Sequence, residues 1–202
     1  KRLLDRRRDE TDFSTTGINA RNSSRLDLSS FATQLITYGV DYFHNEAKGK
    51  RNGAIRPEFP RGNADVVGVF LQDEITLWDR LSLIPGVRWG YFLSEAEGMA
   101  TSANKNDRVN FKIGGLFKVT EWFSLIGNYS EAFRAPTLGE LFTTGPHFTC
   151  GPGCANLFVP NPNLKPETAF NKEVGARIQK SDLLYEDDRL AIRGAYFHNK
   201  VK

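Results

Sequence analysis

The sequence is dominated by segments in which apolar and polar residues alternate with a period of two. In segment 108–119, one face carries Val109, Phe111, Ile113, Gly115, Phe117 and Val119. The opposite face carries Arg108, Asn110, Lys112, Gly114 and Lys118, with Leu116 as the exception. This period predicts β-strands that have one apolar and one polar face.

Segments 81–94 and 168–180 show the same alternation. In the second, the apolar face of Phe170, Val174, Ala176 and Ile178 is interrupted near one end by Lys172. A lysine is tolerated there if that end lies where a membrane meets water. We predict about eight strands of this kind, each about as long as the 9–11 residues that cross a membrane at a tilt.

The connections between these segments alternate in length. Short turns are predicted near 27–30, 78–80, 120–122 and 182–188. Long polar connections rich in glycine and proline are predicted at 45–64, 95–107 and 132–167. Short turns at one rim and long loops at the other are typical of antiparallel outer-membrane β-barrels, whose long loops are extracellular.

Aromatic residues agree with a membrane barrel. Trp78, Trp122 and Tyr185 lie at predicted short turns, whereas Tyr42, Tyr91, Tyr129 and Tyr196 are among those toward the long loops. Two such groups match the girdles at the two membrane interfaces. A soluble β-sandwich is the alternative, since its strands also alternate, but the strand lengths and the one-sided long loops favour the barrel.

Composition and motifs argue against several classes of function. The 27 Lys and Arg residues nearly balance the 24 Asp and Glu residues, so a nucleic-acid partner is not expected. No apolar run reaches the ~18 residues of a membrane-spanning helix, and no signal peptide opens the chain. No Ser/His/Asp arrangement, phosphate loop or zinc-protease motif is present, so we expect neither an enzyme nor a catalytic cofactor.

Two short proline-containing boxes flank a loop that carries a histidine. Phe133-Arg134-Ala135-Pro136 precedes His147, and Asn161-Pro162-Asn163-Leu164 follows it. The arrangement resembles the FRAP and NPNL boxes of TonB-dependent haem and haemoglobin receptors of Gram-negative outer membranes. The resemblance implies a receptor that binds haem at its extracellular loops, free or from haemoglobin or a haem-carrier protein, and imports it with energy from the TonB complex.

The same resemblance implies a ligand and an architecture. In the family, a histidine between the boxes ligates haem iron, which here implies His147, with the second axial histidine supplied by a plug domain. The family barrel has 22 strands around this N-terminal plug. Because the chain starts at Lys1, has only Met99 as methionine and contains no plug or energy-coupling box, we expect 1–202 to form one part of a larger barrel.

The boxes are expected to position the loop or to line the haem pocket. Proline fixes φ, so Pro136 and Pro162 hold the two feet of the loop, and Asn161 and Asn163 favour Asx turns. Arg134 is expected to pair with a nearby carboxylate, the candidates being Glu131, Glu140 and Glu167. The alternative for Arg134 is a haem propionate. Further pocket or positioning candidates are Phe133 and Leu164.

The loop between the boxes holds further candidates. Apolar cover for a porphyrin is expected from Phe142, Phe148, Leu157 and Phe158. Cys150 and Cys154 are expected to form a disulfide, as is usual in an extracellular loop. The alternative is a metal site of both cysteines and His147, which lacks a fourth donor and the usual spacing.

Other functions remain open at this stage. A ferric-siderophore receptor would share the same barrel, and in it His147 would be dispensable. A surface adhesion barrel needs only the long loops. A barrel lipase or protease is disfavoured, because the sequence shows no recognisable set of catalytic nucleophile and base. His44 and His198 are expected to be rim residues rather than ligands.

Overall fold

The computed structural model describes residues 8–56, 58, 61–97, 103–146 and 156–202, and within them the fold is one large antiparallel sheet with a short helix. The strands are β1 (Asp9–Ser29), β2 (Ala32–Arg51), β3 (Ala54–Ile55), β4 (Gly62–Leu77), β5 (Leu81–Ala96), β6 (Ala103–Lys118), β7 (Phe123–Arg134), β8 (Gly145–Pro146), β9 (Leu157–Phe158), β10 (Glu167–Ser181) and β11 (Arg189–Val201). The helix is α1 (Leu138–Phe142).

Eight long strands follow one another in the sheet in the order β1-β2-β4-β5-β6-β7-β10-β11. Each long strand therefore pairs with its neighbours in the sequence, and β3 adds a two-residue pairing to β2. The remaining two strands, β8 and β9, pair only with each other. This meander confirms the prediction of an all-β chain of antiparallel barrel strands.

The short turns lie where the alternation predicts them, but the strands run further than expected at the other end. β2 continues to Arg51, β5 to Ala96, and β6 starts at Ala103. Much of the predicted loops 45–64 and 95–107 is therefore paired strand. The reason is that both faces of these ends are polar, so the alternation in hydropathy stops while the backbone ladder continues.

The register sorts the side chains onto two faces. Val87 pairs with Phe111 and Pro85 pairs with Ile113 on one face, which we call the apolar face. Arg88 pairs with Asn110 on the other, which we call the polar face. Phe111 is 54% exposed although it is fully apolar. A broad exposed apolar face is what a strand presents to lipid.

The buried residues lie mainly at the long-loop end rather than in the middle of the sheet. The buried cluster consists of Ala47, Ala96, Leu138, Leu141 and Phe142. It joins α1 to the ends of the neighbouring strands. In the part of the chain that is described, no helix has the length and hydrophobicity needed to span a membrane.

Candidate functional site

Arg134, the last residue of β7, ties together the two feet of the long loop. Its Nη1 and Nη2 donate to the two carboxylate oxygens of Glu140 at 2.9 and 3.0 Å, and its Nε donates to Glu167 at 3.1 Å. Glu140 lies in α1, and Glu167 begins β10. A planar guanidinium suits such two-pronged contacts. Arg134 therefore links three elements that meet at the base of the loop.

The helix α1 begins with a capping box. The hydroxyl of Thr137 accepts from the backbone N–H of Glu140 at 3.3 Å, and the Glu140 carboxylate accepts from the backbone N–H of Thr137 at 2.8 Å. This exchange satisfies two N–H groups that a helix start leaves free. The Arg134 guanidinium, with the Thr137 N–H second, lowers the pKa of Glu140 to about 2.

The apolar side of α1 packs on the polar face of the sheet, where the side chains are small. Ala47, Gly62 and Ala96 lie in one row across β2, β4 and β5. Leu141 and Phe142 of α1 are fully buried in the same cluster as the two alanines. A side chain on Gly62 would meet the Glu95 carbonyl oxygen. Small residues in this row therefore leave the room that the helix occupies.

The loop that carries the predicted histidine is closed by the short β8–β9 pair. Gly145 pairs with Phe158, and Pro146 pairs with Leu157. Gly145 has φ near +90°, and a Cβ there would lie 2.7 Å from the Glu58 side chain, so glycine is required. The backbone N–H of Thr144 donates to the Glu58 carbonyl at 3.1 Å. One foot of the loop is thus fastened to the β3–β4 connection.

The second box forms a turn held from both sides. The side-chain oxygen of Asn161 accepts from the backbone N–H of Asn163 at 3.2 Å, which is the predicted Asx turn. The Asn161 N–H donates to the Leu141 carbonyl of α1 at 2.7 Å. The Asn104 side chain donates to the carbonyls of Pro162 at 2.6 Å and Leu164 at 3.2 Å. Helix and sheet therefore fix the turn together.

Phe133, the aromatic residue of the first box, lies on the same side of the sheet as Phe92 and Arg88 of the polar face. The rings of Phe133 and Phe92 meet at 5.2 Å with an angle of 59° between their planes, an arrangement that aromatic pairs prefer. Both rings line a cavity of about 530 Å³ together with Phe70, Arg88 and Lys112. An aromatic wall with two cations therefore lies below the loop base.

With this geometry in hand, comparison with known proteins places the chain in a family. The family described as TonB dependent receptor-like, beta-barrel, matches residues 3–202. The chain belongs to the TonB-dependent receptor family. Proteins of this family are receptors and transporters of the outer membrane, so the apolar face of the sheet faces lipid and the polar face lines the barrel interior.

Sequence comparison shows which TonB-dependent receptors the chain resembles. It is 36% identical over 204 residues to the heme/hemopexin utilization protein C of Haemophilus influenzae (strain 86-028NP), covering 96% of the chain and 28% of the relative. It is 35% identical over 195 residues to the hemin receptor of Yersinia pestis, covering 93% of the chain and 28% of that protein. The chain thus spans about 28% of the length of these relatives.

Solved TonB-dependent receptors share the fold. The hemophore receptor HasR of Serratia marcescens, solved in complex with its hemophore HasA and heme, has a TM-score of 0.82 at 23% identity, covering 96% of the chain and 34% of HasR. The siderophore receptor PirA of Acinetobacter baumannii has a TM-score of 0.70 at 17% identity, covering 95% of the chain and 27% of PirA. At these identities the likeness speaks for the barrel fold alone.

Among the described residues, Arg134, Pro136 and 161–164 lie at the base of the long loop, whereas Phe133 lines the interior cavity. Arg134 pairs with two of its three candidate carboxylates, Glu140 and Glu167, whereas Glu131 instead accepts from the Tyr129 hydroxyl. Pro136 is buried, whereas Leu164 is 37% exposed. His147, Phe148, Cys150 and Cys154 lie outside the described residues, and so do the predicted disulfide and the alternative metal site.

One predicted residue is ruled out as porphyrin cover, and several anchors were not predicted. Phe142 is 0% exposed beneath α1, so it cannot lie on a porphyrin, whereas Phe158 is 41% exposed. The helix itself was missed, although Thr137 and Glu140 have the spacing of a capping box. Asn104 was not predicted as an anchor, because the sequence predicts a loop at 95–107 whereas β6 begins at Ala103. No local signal marks a side chain whose partners are about 60 residues away.

Proposed function

We propose that this chain forms part of an outer-membrane receptor that binds haem at its long-loop end and imports it with energy from the TonB complex. The observation that carries the proposal is the hydrogen-bonded base of the long loop, in which Arg134 joins Glu140 and Glu167 and the Asn161 N–H donates to Leu141 of α1. The relatives named as hemin and heme/hemopexin proteins support haem as the cargo.

His147 is the proposed ligand of haem iron. It follows β8 directly in the sequence, and the β8–β9 pair is the described element next to this proposed ligand. A neutral imidazole is a common axial ligand of haem iron. Leu157 and Phe158 in the opposite strand are 56% and 41% exposed, and they are proposed to cover a porphyrin. Phe148 is proposed for the same role.

The two boxes are proposed to position this loop rather than to touch haem. Arg134 already makes three hydrogen bonds to Glu140 and Glu167, and these two carboxylates account for its positive charge within the loop base. Asn161, Pro162, Asn163 and Leu164 form the turn that Asn104 holds. Phe133 lies deeper, against Phe92, where it lines the interior cavity. Pro136 fixes the chain at the start of α1.

Cys150 and Cys154 are proposed to form a disulfide that stiffens the loop after His147. An oxidising extracellular setting favours this bond. Because the ring it closes is very short, its effect on global stability is expected to be small. The disulfide is detected by comparing the mass of the receptor alkylated with and without prior reduction. Two alkylated cysteines before reduction would contradict the bond.

The partners of the receptor follow from the same proposal. The long loops would face the outside of the cell, where haem arrives free or on haemoglobin or another haem-carrier protein. The relative named as a heme/hemopexin utilization protein supports a protein donor here as well. The TonB complex would act through a plug domain inside the barrel.

A haem titration of the intact receptor, followed by Soret absorption, tests the proposal. We expect a low-spin six-coordinate spectrum that becomes high-spin or weakens in His147→Ala. His198→Ala is the matched control, because His198 lies on the exposed outer side of β11 and is expected to leave the spectrum unchanged. An unchanged spectrum in His147→Ala would remove His147 as the ligand.

The same titration separates haem from the other cargoes. A ferric siderophore is the second candidate, because a siderophore receptor has the same barrel fold. If the wild-type receptor binds no haem but binds a ferric siderophore with undiminished affinity in His147→Ala, the cargo is a siderophore. Binding of neither would leave an adhesion barrel.

A further inference from the structure

Two cationic side chains on the polar face lie flat across glycines of the neighbouring strand. A Cβ atom on Gly68 of β4 would collide with the Nη2 atom of Arg88 and would lie 2.6 Å from the Asp41 carboxylate. A Cβ atom on Gly86 of β5 would lie 2.6 Å from the Cε atom of Lys112. Carbon atoms in contact are normally about 3.5–4.0 Å apart. Glycine at these positions therefore leaves the room in which both side chains lie against the sheet.

The two cations differ in their partners. The Nη1 and Nη2 atoms of Arg88 donate to the two oxygens of Asp41 at 2.8 and 2.7 Å, which fixes the plane of the guanidinium. Lys112 donates to the side-chain oxygen of Gln72, and it forms no ion pair within the described ranges. A neutral amide does not cancel the charge of an ammonium group. Lys112 therefore keeps its positive charge on this face.

The cations and three phenylalanine rings line the interior cavity of about 530 Å³. Lys112 lies over Gly86, and Phe92 is six residues further along β5, which is about 20 Å toward the long loops. Phe70 lies between these points, because it pairs with position 88 of β5. Phe133 meets Phe92 at the far end. The cavity is therefore aromatic toward the long loop and cationic further down.

One carboxylate also lines the cavity, and it is held away from the ammonium. Glu131 of β7 accepts a hydrogen bond from the Tyr129 hydroxyl at 2.7 Å. Lys112 crosses β5 to reach Gln72 of β4, so its ammonium lies on the far side of β5 from Glu131. The lower end of the cavity therefore suits an anionic group brought by a ligand.

We propose that this cavity is a second haem site, which holds the porphyrin by its propionates rather than by its iron. The macrocycle lies against Phe70 and Phe92, and a propionate reaches Lys112. A flat apolar ligand with carboxylates at one edge matches a cavity that is aromatic at one end and cationic at the other. A small anion would need Lys112 alone. The inference rests on the proposed haem import, in which the cavity takes up haem released by the loop above it.

Native mass spectrometry of the intact receptor in neutral detergent, titrated with metal-free protoporphyrin IX, tests the proposal. Without iron, the probe has no axial ligand, so His147→Ala should bind one porphyrin as tightly as the wild type. A hydrogen bond to a charged group contributes enough that Lys112→Gln should bind about tenfold more weakly. Lys118→Gln is the control, because it removes the same charge from the same face of β6 at the short-turn end. Its affinity should equal that of the wild type.

A pair of glycine variants tests the shape of the cavity. Gly68→Ala should push Arg88 off the sheet into the cavity and weaken porphyrin binding. Gly114→Ala is the control on the same face, because a Cβ there would meet its nearest atoms at ordinary distances of 3.7 and 3.9 Å. If Lys112→Gln lacks the heat-modifiable migration of a folded barrel, protoporphyrin dimethyl ester is titrated into the wild type, where we expect at least about tenfold weaker binding.

Three outcomes would overturn the proposal. They are no bound protoporphyrin in the wild type, as when another part of the receptor fills the cavity, equal losses in Lys112→Gln and Lys118→Gln, and equal binding of the dimethyl ester. The two haem proposals fail separately. Loss of iron ligation in His147→Ala without any protoporphyrin binding supports the loop and overturns the cavity. An unchanged Soret spectrum in His147→Ala with binding that depends on Lys112 does the reverse.

Discussion

The two ends of the sheet are built in different ways. At the short-turn end, the contacts are mostly within one connection or between adjacent turns. The Phe123 N–H donates to the Thr120 hydroxyl, and the N–H groups of Leu183 and Leu184 donate to the Asp188 carboxylate. Trp78 stacks on Phe31 of the adjacent turn. At the long-loop end, the contacts join distant parts of the chain. Asn104 reaches Pro162 across 58 positions, and Arg134 reaches Glu167 across 33.

The difference bears on function because a ligand-binding loop has to be both long and precisely held. A long loop with only local contacts would sample many conformations, and the population of the conformation that binds the ligand would be small. Here the helix, the guanidinium clamp and the turn divide the loop into short fixed sections. The comparison predicts that substitutions at the long-loop end weaken ligand binding, whereas substitutions at the short-turn end affect only local stability.

Phe142→Ala is expected to have the largest effect. Phe142 is fully buried between α1 and the sheet, and truncation of a buried phenylalanine costs about 3–5 kcal/mol. Because the lost packing is local, amide hydrogen exchange should accelerate in 137–164 and remain slow in the strands, and haem affinity should fall. Leu184→Ala, at an exposed position in a short turn, is the control and should change neither. Faster exchange throughout the barrel in Phe142→Ala would show that the helix supports the whole sheet.

Asn104→Ala is expected to have the next largest effect. The Asn104 side chain is 8% exposed in β6 and donates to the carbonyls of Pro162 and Leu164. Removing it leaves two carbonyls without this donor, at a cost of about 1–3 kcal/mol. We expect faster exchange at 161–166 and weaker haem binding. Asn163→Ala, an exposed residue of the same turn, should have little effect. Equal effects of both substitutions would mean that the turn holds its shape without the sheet.

The same division between the two ends explains what the sequence could predict. The strands and short turns depend on alternation and on residues a few positions apart, so segments such as 108–119 and the turn at 78–80 were predicted correctly. The Arg134 pairing with Glu140 and Glu167 was among the predicted alternatives. Both carboxylates lie in or beside the boxes.

The anchors of the loop base could not be predicted in the same way. Asn104 and the row of Ala47, Gly62 and Ala96 gain their roles only when β2, β4, β5 and β6 lie side by side. Small residues and single asparagines are common, so nothing in their neighbourhood distinguishes them. The strand ends were misplaced for a related reason: the residues there are polar or small on both faces, so the alternation in hydropathy stops while the backbone pairing continues.

The pH dependence of the loop base should be confined to acid. Arg134 and Thr137 lower the pKa of Glu140 to about 2 in the folded chain, below the ordinary value of about 4.5. A depressed carboxyl pKa stabilises the fold above the ordinary value, and this stabilisation is lost as pH falls from about 4.5 through 2. Hydrogen exchange of 137–142, corrected for intrinsic rates, should therefore show constant protection from pH 5 to 8 and weaker protection at pH 3. In Glu140→Gln this step should disappear. A step that persists in the variant would assign it to another carboxylate.

Asp188→Ala should have the smallest effect. Its carboxylate accepts from the backbone N–H groups of Leu183 and Leu184 at 2.7 and 3.0 Å, and these bonds lower the pKa of Asp188. The side chain is partly exposed, so water replaces the lost acceptor, and we expect faster exchange only within 182–188 with haem affinity unchanged. Glu186→Ala, in the same turn, is the control. Weaker haem binding in Asp188→Ala would break the comparison, because a locally closed turn would then be coupled to the loop base at the opposite end of the strands.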